Sequence, residues 1–355
     1  MPSSVAPPPT PSLPPRAPHI ARWDLDKTYL RTEFDTVRDL VKTALERADQ
    51  KRAHPGASAL MRELQVAGAE IHILSGSPEQ MRRRLSQKLA LDGVRFASLT
   101  LKSNLRNILK MRLRSVRGQL GYKLPTLLTM RAKIDTGAGA TTILPSETLV
   151  GDDAEADAFI YALYADVCAG RVDATLVAEV MRLDRCHPEE IADAAHAAQL
   201  LRVAIDSFGT TEEAVERVLI HLDQQTPPSD FDVFGARIVP FYNYFQAALV
   251  LLGDGRIGGE GALRVGRDLI VQHRFEAEQL LRSGLDLARR GHLSQSAIDR
   301  LQRAADRLPE ATDPMHLLGR RAAELTAARK APRTDKVSVP DYVSLVLAHN
   351  RRRRK

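Results

Sequence analysis

Between about Ile20 and Gly170, short apolar runs alternate with amphipathic stretches, the pattern of strands that cross over through helices into a parallel sheet. "HIARW" (19–23), "EIHIL" (70–74), "VRFASL" (94–99) and "ETLV" (147–150) predict strands. "EFDTVRDLVKTALERAD" (33–49) and "ASALMRELQVAG" (57–68) predict helices, the second closing on a C-terminal glycine at Gly68. After Gly170 the alternation ends. "TTEEAVERVL" (210–219) offers Thr210 and Glu213 at capping-box spacing, Pro188 suits the first turn of a helix, and Ile298, Leu301, Ala305 and Leu308 share one helical face. The expectation is therefore an α/β domain with a parallel sheet over 19–170 and an all-helical domain over 171–350. A proline-rich, disordered leader (1–18) precedes them and a basic tail, "RRRRK" (351–355), follows.

A chain of 355 residues suits two domains, since single cores seldom grow beyond roughly 250 to 300 residues. The two cysteines, Cys168 and Cys186, build no disulfide framework, and the ten histidines form no HExxH or close His/Cys cluster that would suggest zinc. The run "FQAALVLL" (245–252) is far shorter than the roughly 18 residues of a membrane span, and the leader lacks the apolar core of a secretion signal. A cytoplasmic location is expected, with peripheral contact to the inner membrane surface as its variant. Charge sharpens that variant. Twelve Lys/Arg and two acids lie between Pro78 and Lys123, a surplus larger than the whole chain's net +7. Such a stretch suits a solvated helix face, an anionic lipid surface, or a phosphate backbone. Only Phe96 and Tyr122 could stack on bases there, which argues against nucleic acid.

The candidate chemistry sits where the strands run out: "WDLD", "ILSGS" and "LVGDD". Ligands of an open parallel sheet bind outside the carboxyl ends of its strands, so Asp24, Asp26, Ser75, Asp152 and Asp153 are expected to converge. Carboxylates gathered there call for a hard cation, and Mg²⁺ takes oxygen ligands. One aspartate can attack phosphorus while the other shuttles a proton. Ser75 and the backbone amide of Gly76 can donate to phosphoryl oxygens, and a lysine should neutralise the charge that develops on them.

In this order, "DLDKT" (24–28), "ILSGSP" (73–78), the lysine of "GYKLP" (121–125) and "LVGDDAEADAFIY" (149–161) resemble the haloacid dehalogenase superfamily of phosphohydrolases. More closely, they resemble the catalytic domain of actin-patch-associated phosphatidate phosphatases and their bacterial relatives. The resemblance covers about residues 20–170. It implies a Rossmann-like domain with a minimal cap and Mg²⁺-dependent hydrolysis of a phosphomonoester, phosphatidate above all, through an aspartyl phosphate. Asp24 is then nucleophile and metal ligand. Asp26 is the acid/base, with its carbonyl on the metal; Thr28 supports the turn and Ser75 binds phosphate. Lys123 orients nucleophile and phosphate, with Lys102, Lys110 and Lys133 in the same interval as alternatives. Asp152 completes the metal site with either Asp153 or Asp157.

Two other readings of function stand beside this one: a phosphatase of a soluble phosphometabolite, phosphoprotein or nucleic-acid end, and a non-catalytic scaffold that binds anionic membrane or nucleic acid through the basic face. The protease-like "DTGAGATT" (135–142) lies in helical surroundings. "GDGRIGGEG" (253–261) follows a predicted helix, not the strand that a dinucleotide fingerprint needs. The aromatic stripe of Phe231, Phe234, Phe241, Tyr242 and Phe245 is expected to be core or a docking face, with lipid contact as its alternative.

Overall fold

A computed structural model describes residues 18–31, 52–102, 117–137, 144–154, 156–208, 214–309, 313–331 and 339–352. The leader up to residue 17, the helix expected over 33–49, Lys110 and residues 353–355 of the tail lie outside the described residues.

Six parallel strands form one sheet in the order β3-β2-β1-β4-β5-β6. They are β1 (His19–Trp23), β2 (Glu70–Pro78), β3 (Ser98–Lys102), β4 (Ser146–Asp152), β5 (Val215–His221) and β6 (Ile238–Phe241). The order reverses between β1 and β4, and this switch point is where an open α/β sheet leaves a crevice at its carboxyl edge.

Residue alternation along the strands gives the sheet two apolar faces. Trp23, Ile71, Ile73, Leu99, Val150, Leu219 and Val239 look to one side, where they meet α1 (Ala57–Val66), α2 (Arg82–Leu91) and the C-terminal helices. Those helices are α7 (Tyr244–Gly253), α8 (Gly259–His273), α9 (Ala277–Arg289), α10 (Gln295–Asp306), α11 (His316–Arg320) and α12 (Ala322–Ala328). Leu74, Leu149, Val218, Ile220 and Ile238 look to the other side. There they meet α3 (Arg117–Gly137), α4 (Asp157–Cys168), α5 (Ala174–Leu183) and α6 (Pro188–Phe208), and Tyr342 of α13 (Tyr342–Arg352) is buried in the same core.

The strands at 19–23, 70–74 and 147–150 and the helix at 57–68 form where the pattern places them. Gly68 sits at φ +91°, the left-handed conformation that ends a helix with little strain only at glycine. The third strand begins at Ser98, four residues later than the apolar run, because Gly93 and the residues after it turn the chain out of α2.

The stretch after Gly170 is mostly helical, as expected, but it is not wholly so: it contributes β5 and β6 to the sheet. Thr210 and Glu213, at capping-box spacing in "TTEEAVERVL", lie outside the described residues, and the part of that stretch described as regular structure is not helix. From Val215 its chain is strand, with Val215, Val218, Leu219 and Ile220 buried. Glu216 and Arg217 of β5 are neutralised from the turn that follows Gly253: Arg217 pairs with Asp254 at 2.6 Å, and Glu216 pairs with Arg256. β6 carries Pro240, which an edge strand tolerates because one side of its backbone donates to no neighbour.

A buried ion pair ties β1 to β4. Arg22 donates to both carboxylate oxygens of Glu147, at 2.8 and 2.6 Å, while Arg131 and Tyr164 donate to the same group. Burial pushes the Glu147 carboxyl up, but the Arg22 guanidinium overrides it and holds the group at about 2. Arg22 lies two residues before Asp24, the first residue after β1.

Candidate functional site

Asp24 follows β1 directly, and its backbone N–H donates to the carbonyl of Val150 at 2.9 Å, carrying the β1–β4 pairing past the end of the strand. The chain then turns sharply through Lys27, at φ +59°, and Thr28 returns beneath Asp24. The Thr28 hydroxyl lies 3.2 Å from Oδ2 of Asp152 and 3.4 Å from Oδ2 of Asp24, so it bridges the two strand ends. Tyr244 at the start of α7 supports this turn from below, donating its hydroxyl to the Thr28 carbonyl at 2.5 Å and stacking on Trp23 at 5.9 Å.

On the other side of the switch point, β4 ends at Asp152 and α4 begins at Asp157. Asp157 Oδ2 accepts the backbone N–H of Asp152 at 3.3 Å, which folds the loop back onto the strand. Gly151 permits this fold: a Cβ there would stand 2.3 Å from Asp157 Oδ2. Lys123 of α3 reaches both strand ends, with Nζ 3.1 Å from Asp24 Oδ1 and 2.5 Å from Asp157 Oδ1. Gly121, two residues earlier, lets α6 approach, since a Cβ there would overlap the Glu190 carboxylate.

Asp24, Asp152 and Asp157 are fully buried, and one oxygen from each lies within 4.8 Å of the others. The Lys123 ammonium faces two of these buried carboxylates, Asp24 and Asp157. Burying charge without compensation is costly, and a hard divalent cation fits a donor set made wholly of carboxylate oxygens. These three residues form a candidate metal site.

Asp26 stands apart from that cluster. Its Oδ2 accepts hydrogen bonds from the hydroxyls of Ser75 at 3.0 Å and Ser77 at 2.9 Å, both on β2. The Ser75 oxygen in turn accepts the N–H of Ser77 at 3.0 Å. The two serines therefore hold the second aspartate, and Ser75 is engaged with Asp26 and not with Asp24. Gly76, between them, is half-exposed, and the Gln119 amide of α3 covers the place where its Cβ would be, at 3.1 Å.

Of the residues expected at the site, the structure brings together Asp24, Thr28, Lys123, Asp152 and Asp157. It places Asp26 and Ser75 beside them as a separate pair. Asp153 points elsewhere: its oxygens accept the backbone N–H groups of Gln224 at 2.8 Å and Thr226 at 3.0 Å, which fixes the loop after β5. Lys102 lies over the Tyr122 ring at 5.4 Å, its pKa lowered by burial, and Lys133 is exposed. Ser77 and Gln119 were not singled out from the sequence. Ser77 had a signal, since it lies two residues from Ser75 on the same face of a strand.

A cavity of about 520 Å³ opens beside the loop after β4. Asp153 and Ala154 begin its wall, and Phe159, Phe231, Val233, Phe234 and Leu345 make most of it apolar. The aromatic stripe is accordingly divided. Phe231 and Phe234 line this cavity, Phe241 and Phe245 are core, and Tyr242 is exposed. In the basic stretch, Arg82 pairs with Glu79, Lys88 pairs with Asp92, and Lys123 is buried in the site, while Arg83 and Arg95 are exposed. Among the described residues, no helix is long and apolar enough to cross a membrane.

No family model, no curated protein and no solved structure matches this chain. What can be said of its class rests on the molecule itself: a six-stranded parallel α/β protein with a buried acidic cluster at the switch point of its sheet, able to hold a metal ion and suggestive of catalysis.

Proposed function

We propose that this protein is a Mg²⁺-dependent phosphomonoester hydrolase that works through an aspartyl phosphate on Asp24, and that its substrate is a phosphatidate. The observation that carries the reading is the division between the two aspartates of one turn. Asp24 is set among Lys123, Asp152 and Asp157, and Asp26 is held away from them by two serine hydroxyls.

Asp24, Asp152 and Asp157 would hold the magnesium ion, which supplies charge neutralisation for the phosphoryl oxygens. Asp24 attacks phosphorus, the bond to the leaving oxygen breaks, and Asp26 gives that oxygen a proton. Asp26, now ionised, takes a proton from the water that attacks the same phosphorus. The bond from phosphorus to Asp24 breaks, and phosphate leaves. Lys123 neutralises Asp24 before the attack and the phosphoryl group during it. Ser75 and Ser77 fix the orientation of Asp26 through Oδ2.

The lipid assignment is supported by the apolar cavity that begins at Asp153, next to the metal cluster, by the exposed Arg83 and Arg95, and by the resemblance of the four motifs. The cavity's volume is in the range of small-molecule sites, and its wall suits hydrocarbon better than a polar metabolite.

Phosphate release from phosphatidate in mixed micelles tests the reading, with and without Mg²⁺, beside an aryl phosphate and an Asp24→Asn control. Magnesium-dependent release that favours phosphatidate and is lost in Asp24→Asn is the expected result. Release from the aryl phosphate alone keeps the chemistry and overturns the lipid; release from neither overturns both and leaves the scaffold.

A further inference from the structure

A second cluster lies beside the turn that carries Asp24 and Asp26, built from residues far apart in the chain. His54 precedes α1, His221 is the last residue of β5, and Asp223 stands two residues beyond it. The two imidazoles meet edge to face with ring centres 4.6 Å apart. Nε2 of His54 is 3.8 Å from Oδ1 of Asp223, and one donor atom from each of the three residues falls within 4.8 Å of the others. Nδ1 of His221 lies 3.4 Å from the carbonyl of Lys27, which leaves its Nε2 for another partner.

Packing alone explains part of this. His221 stacks on Tyr244 at 5.4 Å and lies against Phe241 at 5.3 Å, so its ring also serves the core. Packing does not explain His54. Its side chain is only 8% exposed, and its Nε2 has no hydrogen-bond partner among the described residues. A buried polar atom left unsatisfied is costly. Asp223 is 29% exposed and opens the cluster to water.

We propose that His54, His221 and Asp223 bind a divalent cation of the zinc class, at a site distinct from the carboxylate cluster. Two imidazoles and one carboxylate suit zinc and its neighbours, whereas magnesium prefers oxygen alone. Around a tetrahedral ion with bonds of about 2.0–2.2 Å, donor atoms lie about 3.4 Å apart, so the 3.8 Å pair closes with a shift of a few tenths of an ångström. The fourth position faces water past Asp223. Such an ion clamps the segment before α1 to the end of β5, and through His221 it holds the Lys27 carbonyl and thus the turn between Asp24 and Thr28. The site does not depend on the phosphatase reading.

Titration of the full chain with Co²⁺, in buffer containing excess Mg²⁺, tests the proposal. The expected result is one equivalent bound, with the visible absorption of a four-coordinate site, displaced by Zn²⁺. Affinity should fall at least about tenfold in His54→Gln and in Asp223→Asn and stay unchanged in Asp152→Asn. Asp223 is partly exposed, so its variant decides the matter if His54→Gln does not fold by circular dichroism. No Co²⁺ binding by the folded chain, binding that both substitutions leave unchanged, or binding lost in Asp152→Asn would each overturn it.

Discussion

The Lys123 ammonium stands 3.1 Å from Oδ1 of Asp24, and neither side chain is exposed to water. A lysine buried this completely is tolerated because it has carboxylates to face, and Asp24 is held in place by the same contact.

Lys123→Met is expected to act on both stability and rate. It leaves Asp24 and Asp157 without their shared cation, and breaking a buried pair costs about 3–5 kcal/mol. Urea unfolding should show that loss, and phosphate release should fall at least about a hundredfold. Lys133→Met, at an exposed position on the same helix, should change neither.

Asp26→Asn separates the proton from the fold. The amide oxygen still accepts from Ser75 and Ser77, so stability should change by less than about 1 kcal/mol while kcat drops about 10²–10⁴-fold. The drop should be larger for an alkyl phosphate, whose leaving oxygen needs the proton, than for a nitrophenyl phosphate, whose leaving group does not. Equal losses on both substrates would remove Asp26 from the role of acid.

Two glycines make a matched test of geometry. Gly151→Ala puts a methyl group 2.3 Å from Asp157 Oδ2 and 2.7 Å from its Cβ, so Asp157 must leave Lys123. A loss of about 1–3 kcal/mol is expected, together with most of the activity. Gly68→Ala meets no atom within 4 Å and suffers only from its positive φ, about 1 kcal/mol, with kcat unchanged.

Stability should fall in mild acid. Burial, with the Arg256 charge second, holds His19 at about 4, and burial with the His221 ring second holds His54 at about 3, against an ordinary value near 6.5. Below about 6.5 the unfolded chain takes up protons that the folded chain refuses, so stability declines as pH falls from there toward 4. Glu147, held at about 2, acts lower down: its contribution is complete above the ordinary carboxyl value and is lost as pH drops toward 2. Urea midpoints of the chelator-treated protein at about pH 7.5 and pH 5 check this, the lower pH giving the lower midpoint. Equal midpoints would contradict it.

The parts of this fold that sequence pattern reveals are those in which local preference and tertiary placement agree. β1, β2 and β4 are apolar runs bounded by turns, and α1 ends on a glycine in the left-handed region. β5 hides because Glu216 and Arg217 give its first half a helical charge pattern, and only their partners Arg256 and Asp254, brought up after α7, show why a strand can carry them. At the site, Asp24 and Asp152 are visible as polar residues at strand ends. The choice of Asp157 over Asp153 is not, because it depends on a loop folding back over Gly151. The His54–His221–Asp223 cluster is invisible in the sequence, since 167 residues separate its histidines and only the sheet order joins them.

The most direct measurement is the identity of the phosphorylated side chain. The protein is mixed with substrate and Mg²⁺, quenched in acid, reduced with borohydride to convert any acyl phosphate to the alcohol, and digested for mass spectrometry. Homoserine at position 24, absent without substrate, is the expected result, and with a nitrophenyl phosphate, whose leaving group needs no proton, Asp26→Asn should increase its yield by slowing hydrolysis of the intermediate. Reduction at another aspartate, or turnover with no reduced residue at all, would contradict Asp24 as the nucleophile.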